Sequence, residues 1–173
     1  MNKILIVVDM QKDFVSGSLG SPEARAIIPA ARDYICSFEG NIIVTYDTHG
    51  EDYLETPEGR KLPVPHCIEG TDGWELADEI GEALKGKSYT TVKKSTFGKS
   101  ELPGIIEELF GKPSEIELMG LCTDICVISN ALILKNAFPD ADTSVNGALC
   151  AGVTPLKHQA ALEVMASCQI TVK

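Results

Sequence analysis

The 173-residue chain contains no apolar run approaching the ~20 residues that a membrane-crossing helix needs, so no segment of it reads as one. It also lacks a basic surplus. Fifteen Lys and Arg face 25 Asp and Glu, for a net charge of −10. Nucleic acid and anionic membrane are therefore not expected partners, because both call for clustered positive charge. The opening residues MNKILIVVDM carry one lysine and a short apolar run closed by Asp9. They have neither the apolar core length nor the small-residue cleavage site of a signal peptide, so they read as a first strand, and the protein is expected in the cytoplasm. Internal repeats, low-complexity tracts and linker-like shifts in composition are missing as well. Residues 1–173 are accordingly expected to form a single domain. The six cysteines come in a chain long and apolar enough to fold without bridges, and free thiols are expected.

What is present is an alternation. ILIVV (4–8), NIIVTY (41–46) and IELMG (116–120) are runs without polar interruption, as suits strands buried on both faces of a parallel sheet. Shorter strands are expected near 90–93, 143–145 and 170–172. Between them lie helical patterns. Ser21-Pro22-Glu23 reads as an N-cap with proline at the first position, opening a helix to about Phe38, with Pro29 predicting a kink or a late start. Trp74 to Leu84 and Leu102 to Phe110 are amphipathic. Thr123 or Asp124 is expected to cap a helix through ICVISNALILKNA, and Thr154-Pro155 to open a last one. The pattern predicts an α/β three-layer sandwich, with a mostly parallel sheet covered by helices on both faces.

Ligands of such sheets bind beyond the carboxyl ends of the strands. At those ends stand Asp9, then Asp47 and His49, then Lys93 or Lys94, and finally the turn GLCTDICV (120–127). An aspartate, a lysine and a cysteine thus converge on one rim. Cys122 and Cys126 in the turn admit several readings. A structural metal clip would want closer spacing and a second cysteine pair. A disulfide is disfavoured in a reducing compartment. A nucleophile at Cys126 would sit in the first turn of a helix, where the dipole and free N–H groups favour a thiolate. Two small buried apolar residues would also fit. On the turn alone the last two readings stay open.

DMQKDF (9–14), DTH (47–49), PHC (65–67), KSTFG (94–98) and GLCTDICV occur in the order seen in the isochorismatase-like cysteine hydrolases, and the set resembles the nicotinamidase branch. The resemblance spans essentially the whole chain. It implies a Rossmann-like sheet and an Asp–Lys–Cys triad. Asp9 matches the general base and Cys126 the nucleophile. Lys94 matches the third member, with Lys93 as fallback, since alternation along a strand sends only one of two neighbours into a site. It further implies an oxyanion hole from the backbone N–H groups of Cys122 and Cys126, with a cis bond between Leu121 and Cys122. A divalent metal beside the triad is implied too, zinc first, with iron or manganese as alternatives. Asp47, His49 and His66 match three ligand positions. Where many members have a second histidine this chain has Tyr53, and Glu58 is the expected replacement, with Glu55 as rival.

Phe14 and Phe97 are candidates to stack on a planar heteroaromatic ring, or else belong to the core. Trp74 reads as packing, Asp13 as a helix or turn cap and His158 as a core or backbone-bonded residue. The expected activity is hydrolysis of a small amide, nicotinamide first. Rival readings are an N-carbamoyl compound or another carboxamide on the same triad, a binding protein that kept the fold, and a thiol redox protein using Cys122 and Cys126. Isochorismate is less expected, because true isochorismatases lack the cysteine. Small members of the family often assemble, so the resemblance admits a homo-oligomer without fixing the oligomeric state.

Overall fold

The computed structural model describes residues 2–173. Six strands form one sheet: β1 (Lys3–Val8), β2 (Asn41–Asp47), β3 (Tyr89–Lys94), β4 (Glu115–Leu121), β5 (Asp142–Ala151) and β6 (Thr171–Val172). Their order across the sheet is β3-β2-β1-β4-β5-β6, and every pairing is parallel. The expectation of a mostly parallel sheet is thus met in full. Ile4 to Val8 are wholly buried at its centre, which explains a run without polar alternation. Each such side chain contributes roughly 1.5–3 kcal/mol by leaving water.

The connecting helices are α1 (Lys12–Val15), α2 (Pro22–Ser37), α3 (Pro57–Lys61), α4 (Asp78–Leu84), α5 (Leu102–Phe110), α6 (Ile128–Ala137) and α7 (Pro155–Ser167). Right-handed crossovers put helices on opposite faces when the chain reverses its direction across the sheet. The chain moves one way from β1 to β3 and the other way from β4 to β6. Accordingly α2 packs with α4, while α5, α6 and α7 pack in series. No helix among the described residues is long and apolar enough to cross a membrane.

Local expectations fared unevenly. Ser21 caps α2, its Oγ accepting from Ala24 N at 3.0 Å. Pro29 neither delays nor ends that helix, which runs through it for 16 residues. The pattern from Trp74 to Leu84 divides into a 3-10 turn ending at Trp74 and the short α4, since Glu75 and Ala77 between them are extended. β5 starts one residue before the expected strand and continues six residues beyond it. The helix foreseen after the cysteine turn begins instead as a π turn, Thr123–Val127, and becomes α-helical at Ile128. Neither Thr123 nor Asp124 caps it. Thr123 Oγ1 pairs with His158 Nδ1 at 2.8 Å, and Asp124 Oδ1 accepts from Val153 N at 2.9 Å. His158 therefore ties α7 to this turn through a side chain rather than a backbone group.

Between β1 and β4 the direction of travel across the sheet reverses. A doubly wound sheet opens a crevice at such a point, outside the carboxyl ends of the strands. Gly120 lets the two strands approach there. Its φ is +124°, and a Cβ would run into the Val8 carbonyl.

Candidate active site

Asp9 follows β1 directly, in a left-handed conformation that aspartate tolerates (φ +47°), and is fully buried. Thr45 faces it from β2 and donates from Oγ1 to Asp9 Oδ1 at 2.6 Å. Lys94 ends β3 and is paired in register with Asp47 at the end of β2. Its side chain is wholly enclosed. The Nζ lies 2.6 Å from Asp9 Oδ2, 3.3 Å from Asp47 Oδ1 and 3.4 Å from Cys126 Sγ, and donates to Thr96 O at 3.1 Å. Its approach to Asp9 Oδ2 is a close ion pair outside hydrogen-bond directionality, and no other donor is aligned on that oxygen. The Asp9 charge is near enough to the Cys126 sulfur to raise the proton affinity of the thiol. One ammonium therefore sits among two carboxylates and a thiol. Lys93 points the other way, exposed, paired with Glu69 and lying over the Trp74 ring.

Burial governs the proton affinities. It raises the Asp9 carboxyl above its ordinary value, with the Lys94 ammonium opposing. Burial disfavours the Lys94 ammonium, yet Asp9, Cys126 and Asp47 outweigh it and hold Lys94 above its ordinary range. The Cys126 thiol is pushed up strongly, by burial first and by the Asp9 charge second. This direction opposes the pull of a helix terminus toward the thiolate. The turn is π-helical, and Cys126 itself is buried within it while Cys122, Asp124 and Ile125 are half-buried. All six cysteines are free thiols, and neither Cys122 nor Cys126 belongs to the metal-type cluster described next. The bond between Leu121 and Cys122 is cis.

A second cluster adjoins the first. Asp47, His49 and His66 are buried and bring ligand atoms within 4.8 Å of one another. His49 Nε2 lies 3.1 Å and His66 Nε2 3.6 Å from Asp47 Oδ2. Glu58 Oε1 lies 3.9 Å and 3.8 Å from the same two nitrogens. Zinc with bonds of ~2.0–2.1 Å spaces its tetrahedral ligands roughly 3.3 Å apart, so this imidazole and carboxylate set suits such an ion. The ring of His66 is already fixed for the task, since its Nδ1 pairs with Val64 O at 2.8 Å and leaves Nε2 facing the cluster. Glu55 is exposed and makes no contact with the cluster. Tyr53 packs its ring against both histidines, at centroid distances of 4.7 Å from His49 and 4.9 Å from His66.

Loop backbone brings these donors together. His49 N donates to Cys67 O and Glu69 N to His49 O, each at 2.9 Å, so the PHC segment runs alongside His49. Asp13 ties that segment down through Cys67 N, 2.8 Å from Oδ2, a longer-range role than a turn cap. Gln11 clasps the backbone of Asp47 from both sides, accepting from its N at 2.8 Å and donating to its O at 2.9 Å. Sequence reasoning missed Gln11 and Thr45. A polar residue two beyond Asp9 was a visible signal for Gln11, but which strand lies opposite cannot be read from spacing. Trp74, read as packing, also donates from Nε1 to Thr48 Oγ1 at 3.0 Å.

A cavity of about 450 Å³ joins the two clusters. Cys122 and Cys126 line it, and so do Asp47, Glu58 and His66. Phe14 and Phe97 both border it. Phe14 is buried with its ring centroid 5.5 Å from that of His66, whereas Phe97 is 47% exposed at the margin.

A doubly wound sheet with an acid, an ammonium and a thiol enclosed at its reversal point defines a class: α/β proteins equipped for cysteine chemistry. The Isochorismatase domain model matches residues 3–173, and the chain belongs to that family. The nicotinamidase/pyrazinamidase of Mycobacterium tuberculosis is 28% identical, over 97% of this chain and 96% of its own. The solved pyrazinamidase of Pyrococcus horikoshii in complex with zinc superposes with a TM-score of 0.83 at 25% identity, covering 100% of this chain and 99% of that one. The N-carbamoylsarcosine amidase of Thermoplasma acidophilum superposes with a TM-score of 0.79, also at 25% identity, over 100% and 96% of the two chains.

Proposed function

We propose that the protein is a metal-assisted cysteine amidohydrolase that converts nicotinamide and water to nicotinate and ammonia. The observation that carries the reading is the enclosed Lys94 ammonium, 2.6 Å from Asp9 and 3.4 Å from the Cys126 sulfur. Asp9, its proton affinity raised by burial, takes the thiol proton. The freed sulfur, its charge matched by Lys94, attacks the amide carbonyl carbon. Backbone N–H groups of Cys122 and Cys126 receive the oxyanion. The carbon–nitrogen bond breaks, and Asp9 returns the proton to the departing nitrogen, which leaves as ammonia. A thioester remains on Cys126. Asp9 then takes a proton from water as the hydroxyl adds to the thioester carbon. The carbon–sulfur bond breaks, the acid product leaves, and Asp9 passes its proton to the sulfur, restoring the thiol and the carboxylate.

Asp47, His49, His66 and Glu58 would hold the metal, zinc by their donor chemistry. Bound there, the ion supplies a Lewis acid for the ring nitrogen of a pyridine substrate. Phe14 and Phe97 border the space available to the ring. The likeness to the Thermoplasma acidophilum amidase favours a second reading, in which the same triad hydrolyses an N-carbamoyl compound.

Cys126→Ala should lower ammonia release from nicotinamide by about 10⁴-fold or more while circular dichroism stays native. Turnover equal to the parent protein would remove Cys126 from the mechanism. A parent protein inert on nicotinamide but active on N-carbamoyl amino acids would select the second reading.

A further inference from the structure

Asn130 lies one helical turn beyond Cys126 on α6 and is fully buried, and all of its amide groups are engaged. Its Nδ2 donates to Cys126 O at 2.8 Å and to Phe97 O at 3.2 Å, and its Oδ1 accepts from Lys99 N at 2.9 Å. The first bond lies within the nucleophile turn. The other two reach the segment that follows Lys94. That segment has no regular structure of its own from residue 95 to 100. It is also pressed onto α6 at Gly98, where a Cβ would come within 2.7 Å of Ile133 Cδ1. Phe97, whose carbonyl Asn130 holds, borders the same cavity as Asp47, His66 and Cys126.

We propose that Asn130 is a positioning residue that sets the aromatic wall at Phe97 in register with the Cys126 sulfur, and so determines how tightly a planar ring is held for attack. This deepens the nicotinamidase reading and rests on it for the substrate. The physical reason is specific to an amide. Two donors and one acceptor in a fixed plane satisfy two carbonyls and one N–H from separate segments. A serine at this helix position can still reach back to Cys126 O, but it cannot bridge to Phe97 O and Lys99 N.

The test uses Asn130→Ala, Asn130→Ser, Phe97→Ala and the two double variants, all in the full chain. On nicotinamide, Asn130→Ala and Asn130→Ser should each raise KM about tenfold with a smaller change in kcat. In the Phe97→Ala background either substitution should add less than twofold, because the wall it acts through is already gone. A second readout needs no nicotinamide: alkylation of Cys126, followed at peptide level, by iodoacetamide and by its N-phenyl derivative. The parent protein should favour the aromatic reagent, and both Asn130 variants should lose that preference while reacting with iodoacetamide within twofold of the parent. Full recovery in Asn130→Ser would confine Asn130 to its own helix and overturn the proposal, as would additive effects with Phe97→Ala. If the parent protein releases no ammonia from nicotinamide, the substrate reading fails, and the labelling ratio still decides the role of Asn130.

Discussion

At the scale of single residues the site is organised by shared protons. Asp9 and Cys126 both have proton affinities raised by burial, and one ammonium serves them together with Asp47. Lys94 is held above its ordinary range, so it stays charged across the working pH range, and the titrating pair is the acid and the thiol. The sign of the pH dependence follows. Protonated Asp9 cannot accept the thiol proton, so activity falls as pH drops through the value of the pair. Because burial raises Asp9, the acid limb of kcat/KM should lie above the ordinary aspartate value of about 3.9. Asp9→Asn should remove that limb along with about 10³-fold of activity. A limb at or below the ordinary value in the parent protein would deny Asp9 the role of base. At Cys126 burial and the charge of Asp9 both favour the thiol, against the pull of a turn terminus toward the thiolate.

At the scale of elements, the decisive features are strand ends and what they lie against. Lys94 and Asp47 are neighbours because β2 and β3 pair in register, and Thr45 reaches Asp9 because β1 pairs with β2. Gly120 is where β4 meets β1, and the register with β5 shifts between Leu118, paired with Val145, and Gly120, paired with Cys150. A side chain there would meet both an unfavourable φ and the Val8 carbonyl. Gly120→Ala should therefore destabilise by on the order of 3 kcal/mol, read as a shift of the urea midpoint at constant slope. It should also lower activity in the fraction that stays folded, since it separates Asp9 from the cysteine turn. A midpoint within error of the parent would mean that the two strands do not need this close approach. The π turn belongs to this scale as well. A helix start was legible after Gly120, but the change from π to α winding was not. That winding depends on what holds Thr123 and Asp124, and their partners lie on α7 and just before it.

At the scale of the whole molecule, two chemistries share one cavity. Asp47 joins them physically, with Oδ1 toward Lys94 and Oδ2 toward the two histidines. If the substrate carries a ring nitrogen, chelation should release one metal ion per chain and cut nicotinamide turnover at least about tenfold, with recovery on adding zinc. Metal analysis beside the ammonia assay decides this. Full activity in metal-free protein would direct attention to amides without a ring nitrogen.

The alternation of strands and helices, the burial of the sheet and the strand ends at which Asp9, Asp47, Lys94 and Cys126 stand were all written in the order of the residues. Those features follow from apolar periodicity and turn chemistry, which are local. It took the packed fold to show that Lys94 rather than Lys93 faces inward, that Glu58 rather than Glu55 approaches the histidines, and that Gln11, Thr45 and Asn130 bond to the residues of the site. Each of these depends on strand order, register or a loop folded back over long sequence separation. Local propensity carries no record of which segment lies opposite.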